Sequence, residues 1–116
     1  MAEVADAFNE VVAINERMSN EMVRVSRVVG REGMMTERAS LGSETGAWSN
    51  TVEAVNSLIG DLVRPTTEVA RVISAVAEGD LNQKIALEID GKPVKGEFQR
   101  IGITVNTMVD QLSAFA

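Results

Sequence analysis

From Trp48 to Val76 the apolar residues step by three and four. Trp48, Val55, Leu58, Leu62, Val69, Val72 and Val76 hold the steps, and Thr51 and Pro65 fill the two that remain. Such a seam, sustained over about four heptads, predicts a coiled-coil or bundle helix. Ile59, Val63 and Ile73 widen the stripe on one side, as a four-helix bundle requires. At about 1.5 Å per residue, a helix from Trp48 to Glu78 spans roughly 46 Å, longer than a compact domain of this size usually holds. The seam has no missing step between Val55 and Val76, so one helix is expected to run through Pro65, with a lost hydrogen bond or kink there. Phe98, Ile101, Val105, Met108, Leu112 and Phe115 repeat the spacing near the C-terminus. Val4, Phe8, Val11, Met18, Met22, Val25 and Val29 do so near the N-terminus, with Asn15 on the seam. A polar Asn in such a place sets register or oligomeric state at a cost in stability.

Composition agrees with a narrow helical seam. Of the 116 residues 45% are apolar but only 3% aromatic, so thin aliphatic side chains must fill the core. The net charge of −6 argues against nucleic-acid binding and against an anionic membrane surface, both of which require a basic face. Without Cys or His the chain has no disulfide, thiol nucleophile, imidazole chemistry or ordinary zinc site. No apolar run approaches the roughly 18 residues of a membrane helix. No secretory leader is recognisable either, and a soluble chain is expected.

Two glycine-bounded breaks separate the helices. The first carries Gly30, Gly33, Gly42 and Gly46, and the second carries Gly79, Gly91 and Gly96 with Pro93. Glycine just past a helical pattern is a usual C-cap. The alternating segment Ile85 to Ile89, ending in Asp90-Gly91, signals a strand and hairpin. The competing reading, preferred because an isolated hairpin is marginal, is an extended connector that drops Ile85, Leu87 or Ile89 into a helix groove.

The chain also repeats itself. Val55-Asn56-Ser57-Leu58 matches Val105-Asn106-Thr107-Met108 at an offset of 50, and Trp48 with Phe98 and Gly46 with Gly96 share that offset. Glu32-Gly33 matches Glu78-Gly79 at an offset of 46, which places a four-residue difference inside the connectors. The unit is helix, connector, helix, and the second helix runs on into the next unit.

These residues resemble the HAMP signalling linkers. Gly79-Asp80-Leu81 closing a first helix, Ile85 in the connector, Glu97-Phe98 opening a second helix and Asn106-Thr107-Met108 within it look like that motif, with Pro65 near the start of the first helix. Gly96-Glu97 keeps half of the family's acidic pair. The earlier unit is divergent: Met18 stands for Pro65, Ala47 for Glu97, and Met35 and Ala39 for Leu81 and Ile85. The alternation is similar to the tandem HAMP arrays of group III hybrid histidine kinases.

The resemblance implies an all-α fold in which each unit is a parallel four-helix bundle made by a homodimer. Residues 1–15 would end a preceding unit, 16–62 form the divergent unit and 63–116 the consensus-like one, a segment of a longer array. It implies a cytoplasmic relay between adjacent input and output domains of a sensor protein such as a histidine kinase. No catalytic residue, cofactor, metal or small-molecule ligand is expected. Packing and signalling would fall to Trp48, Val55, Leu58, Leu62, Pro65, Val69, Val72, Val76, Gly79, Leu81, Ile85, Glu97, Phe98, Ile101, Val105, Met108 and Leu112, with Met35 in the divergent connector. Leu81 and Ile85 should bury in the bundle grooves. Glu97 is expected near Pro65, Thr66 and Thr67, accepting from free N–H groups at the first helix start. A static coiled-coil dimerisation spacer is the alternative.

The remaining features have plainer explanations. Glu78 with Asp80 and Glu88 with Asp90 could suggest acid/base or metal chemistry, but carboxylates beside Gly at element ends serve as solvated caps. Met18, Met22 and Met108 lie on the seam and are expected in a core rather than on a peptide-binding surface. Trp48, aligned with Phe98, is likewise expected to be a core residue.

Overall fold

The computed structural model describes residues 2–42 and 46–116. Residues 43–45, inside the first predicted break, lie outside the described residues, as does Met1. The fold is all-α. Helix α1 covers Ala2–Val25 and passes directly into a π-helical turn, Ser26–Arg31; α2 covers Ala47–Ala77 and α3 covers Gly96–Phe115. Two short strands, β1 (Glu88–Ile89) and β2 (Lys92–Pro93), lie between α2 and α3.

Helix α2 runs unbroken for 31 residues with Pro65 inside it, as the seam predicts. Proline lacks the N–H that would reach the Asp61 carbonyl, so one ladder bond is missing. One residue on, the Thr66 hydroxyl donates to the Leu62 carbonyl at 2.7 Å. The helix closes on Gly79, whose φ of +90° suits a residue without a Cβ. The Asp80 N–H donates to Ala75 O at 2.8 Å and the Gly79 N–H to Val76 O at 3.0 Å, the paired bonds of a Schellman cap. The π-helical turn after α1 ends differently, with wider rings: the Glu32 N–H donates to Arg27 O at 2.9 Å and the Met34 N–H to Val28 O at 3.0 Å.

The chain forms two compact units, Met1–Gly60 and Asp61–Ala116. In the second, Val72, Ile85 and Val109 make a buried cluster, and half-buried Val69, Val76 and Val105 pack around it. In the first, Val25, Val28, Ala39 and Ile59 are buried. Met22, Val25, Val29, Val55 and Ile59 line one apolar groove there. The two sets correspond position by position. Val25 matches Val72 at an offset of 47, Ala39 matches Ile85 at 46, and Ile59 matches Val109 at 50.

The second connector satisfies both of its competing readings. Ile85 drops out of solvent onto Val72 and Val109. Beyond it, β1 and β2 pair antiparallel, Glu88 opposite Pro93 and Ile89 opposite Lys92. The Val94 N–H extends the ladder by donating to Leu87 O at 2.9 Å. Asp90 (φ 53°) and Gly91 (φ 77°) are both left-handed, as a two-residue hairpin turn of this hand requires. Preference for the connector alone is thereby corrected: a two-residue ladder suffices because its base is fixed by the seated Ile85. Four residues separate Leu41 from Gly46 but eight separate Leu87 from Gly96, so the extra four of the repeat coincide with this hairpin.

Candidate functional site

Each connector is held by the same set of side chains. In the second unit Asn106, on α3, meets the backbone of Ile85 with both ends of its amide. The Ile85 N–H donates to Asn106 Oδ1 at 2.6 Å, and Asn106 Nδ2 donates to Ile85 O at 3.0 Å. A side-chain amide carries the same donor and acceptor as a peptide, so it acts as a single rung of a β-ladder where no strand is available. From α2, Arg71 Nη2 donates to Lys84 O at 3.1 Å and Arg71 Nη1 to Gln83 Oε1 at 2.8 Å. Glu68 pairs with Arg71 one turn away and accepts from the Ala86 N–H. Residues 84, 85 and 86 are therefore gripped in sequence, with the Ile85 side chain turned into the core.

The first unit repeats this grip. The Ala39 N–H donates to Asn56 Oδ1 at 2.8 Å, and Asn56 Nδ2 donates to Ala39 O at 2.9 Å. Arg24 Nη2 donates to Arg38 O at 2.8 Å, and Arg24 Nη1 reaches Glu37 Oε1 at 3.4 Å. Glu21 pairs with Arg24 and accepts from the Ser40 N–H at 2.7 Å. Every member sits at the offset of its element: Glu21 and Arg24 precede Glu68 and Arg71 by 47, the connector residues are shifted by 46, and Asn56 precedes Asn106 by 50.

The two carboxylates titrate below the ordinary range. Hydrogen bonding to Arg24 is the largest influence on Glu21, opposed by partial burial and reinforced by the Ser40 N–H. Arg71, partial burial and the Ala86 N–H act in the same order on Glu68. Their guanidinium partners are correspondingly raised. The Lys84–Asp110 ion pair has no counterpart in the first unit: Lys84 Nζ lies 2.6 Å from Asp110 Oδ1, whereas Arg38 and Gly60 hold the matching positions.

The residues singled out from the sequence fall into three groups. Pro65, Val72 and Ile85 are buried, while Trp48, Val55, Val69, Val76, Leu81, Phe98, Ile101 and Val105 are half-buried. Met35, Leu58, Leu62, Met108 and Leu112 are exposed on the single chain. Gly79 is the helix cap. Trp48 does not act only as an apolar filler: its indole N–H donates to Asn15 Oδ1 at 3.0 Å, tying the seam Asn to the second helix of its own unit. Pro65 and Phe98 line one cleft with Ile89 and Pro93. Glu97 pairs with Arg100 on its own helix and is 75% exposed, so its carboxylate is engaged there rather than with residues 65 to 67.

Glu21, Arg24, Asn56, Glu68, Arg71 and Val109 were not singled out as functional from the sequence. The signal for the charged pair was there, an acid and an arginine three apart at matching places in both units. No group of three or more potential ligands is placed to hold a metal ion among the described residues. Among them, too, no helix is long and apolar enough to cross a membrane. The arrangement is one for holding peptide segments against helices.

Residues 43–114 match the family model described as HAMP domain, which is more than half of the chain. HAMP domains are signalling linkers of sensor proteins and are not catalytic. No solved structure matches the chain.

Proposed function

The chain belongs to the HAMP domain family, and on that premise we propose that it is a relay segment of two consecutive HAMP units that works as a parallel homodimer. The observation that carries this reading is a second apolar stripe left open on each helix. On α2, Leu58 is 58% and Leu62 48% exposed, while Ile59 is buried. On α3, Met108 is 39% and Leu112 40% exposed, while Val109 is fully buried. Adjacent residues differ by about 100° around a helix, so one stripe meets the chain's own connector and the other faces outward. A second copy laid parallel brings like stripes together and makes a four-helix bundle of each unit. The two matching clamps support the reading of two units.

Such a bundle relays a signal if it has two packings within a few kcal/mol of one another. A stimulus from an input domain favours one packing at one end, and the helices carry the change toward an output domain. A histidine kinase or related receptor is the parent protein that this reading implies, with the segment in the cytoplasm. The connectors join the helices of each unit and must stay seated as those helices shift. The clamps grip their backbone and so permit small movements of the apolar side chains beneath.

Absence of native cysteine makes the test direct. Leu62→Cys and Leu112→Cys, made separately, should each form a disulfide between like positions, which needs Cα atoms about 4.4–6.8 Å apart. The solution mass should be twice the 12.5 kDa of one chain. A stable monomer, or a dimer that cross-links only Leu62→Cys to Leu112→Cys in a mixture, would reject the proposal.

A further inference from the structure

The clamps grip backbone, and backbone is the same in both connectors. They alone would accept either connector on either second helix, so discrimination has to come from side-chain volume. Gly102 supplies it in the second unit. It is buried in α3, in ordinary helical conformation, where glycine weakens a helix relative to alanine and needs a packing reason. A methyl group at this position would lie 2.9 Å from Leu87 Cδ2 and 3.4 Å from Ile85 Cγ2. The first distance is a clash that the tip of half-exposed Leu87 can relieve by moving. The second is already van der Waals contact, so the further methyl groups of a valine would crowd the seat of Ile85.

The repeat offsets place Val52 in the first unit where Gly102 stands in the second, and Ala39 where Ile85 stands. The sizes are inverted: small connector residue with large helix residue, then large with small. Ala39 and Ile85 are both buried, at 5% and 8% exposure, so both connector residues are seated despite their different sizes.

We propose that Ile85/Gly102 and Ala39/Val52 are reciprocal size keys that make each connector seat only on the second helix of its own unit. The correspondence with Val52 rests on the two-unit reading above; the Gly102 socket stands on the second unit alone. In chains that carry several such modules, and meet further copies on association, keys of this kind suppress mispaired seats that the backbone clamps would tolerate.

Amide hydrogen exchange measured by NMR on the full 116-residue chain tests this, with rates taken relative to each residue's intrinsic rate. The reporters are the Ile85 and Ala39 amides, each held by an Asn side chain. Gly102→Val should speed exchange at Ile85 at least tenfold and leave Ala39 within threefold of the parent. Adding Ile85→Ala should restore protection at that site to within threefold. In the first unit Ala39→Ile should speed exchange at residue 39 tenfold, and adding Val52→Gly should restore it. Gly102→Ala, which asks only Leu87 to move, should change Ile85 by less than threefold. Should Gly102→Val unfold the chain, recovery of the fold by Ile85→Ala supports the key and failure to recover overturns it. Unchanged protection in Gly102→Val, or rescue in only one unit, also overturns it. The reporters are internal to one chain, so a monomeric mass would retire the relay reading and leave this result standing.

Discussion

Asn56 and Asn106 do for the connectors what a neighbouring strand does in a sheet, and they do it with one residue each. Asn106→Ala leaves a buried N–H and carbonyl of Ile85 without partners and should lower stability by about 1–3 kcal/mol in urea denaturation. Asn106→Asp should do little better: it keeps an acceptor for the N–H but turns a second carboxylate oxygen toward the Ile85 carbonyl. Stability equal to the parent in both variants would remove Asn106 from the clamp. Glu21 and Glu68 make a different prediction. Their folded-state pKa lies below the ordinary value of about 4.3, so their contribution is present above that pH and is lost as pH falls through the lower folded value. The thermal midpoint should therefore drop as pH falls below the ordinary carboxylate value, and Glu21→Gln with Glu68→Gln should make that drop shallower. None of these roles was legible at the residue scale. Asn106 was visible as a repeated residue, but its partner lies 21 positions away. An acid and an arginine three apart on a helix look like any solvated pair until a connector is laid across them. Glu97 shows the opposite case, since an acid expected to accept at a helix start pairs with Arg100 on its own helix.

The helices were legible because a seam of about four heptads leaves few alternatives. Helix α2 runs through Pro65 as the spacing required. Pro65→Ala restores the N–H that can reach the Asp61 carbonyl, and hydrogen exchange over residues 66–69 should slow as this turn tightens. Faster exchange there would mean that the buried ring of Pro65 contributes more than the missing bond costs. Less legible was the side of each helix that the chain keeps for itself. The seam named Met108, yet Val109 is the residue with no exposure. A wide apolar face contains two stripes, and the sequence of one chain does not say which of them meets its own connector. The Asp90-Gly91 turn was readable from its two residues, whereas the pairing that flanks it depended on where Ile85 came to rest. The π-helical turn at Ser26–Arg31 had no local signal beyond Gly30 within it.

At the scale of the molecule, the −6 charge of the chain bears on the proposed dimer. Two copies bring like charge together, and the Debye length shortens from about 30 Å at 0.01 M salt to about 10 Å at 0.1 M. Self-association should therefore strengthen over that range in sedimentation equilibrium. Weakening would point to contacts dominated by opposite charges instead. The proposal of a partner has its outline in the sequence, which carries more apolar seam than the described chain buries. The proposed tandem arrangement rests on the sequence offsets, and its strongest support, the doubled clamp, appears only when elements are folded together. That doubling gives the chain a common mode and a differential mode. Acid protonates Glu21 and Glu68 alike and loosens both seats at once. A change of volume at Gly102 or Val52 touches one seat and leaves its twin as a built-in reference. A perturbation of the solvent can thus be told from a perturbation of one unit within a single molecule, by comparing the exchange of Ala39 with that of Ile85.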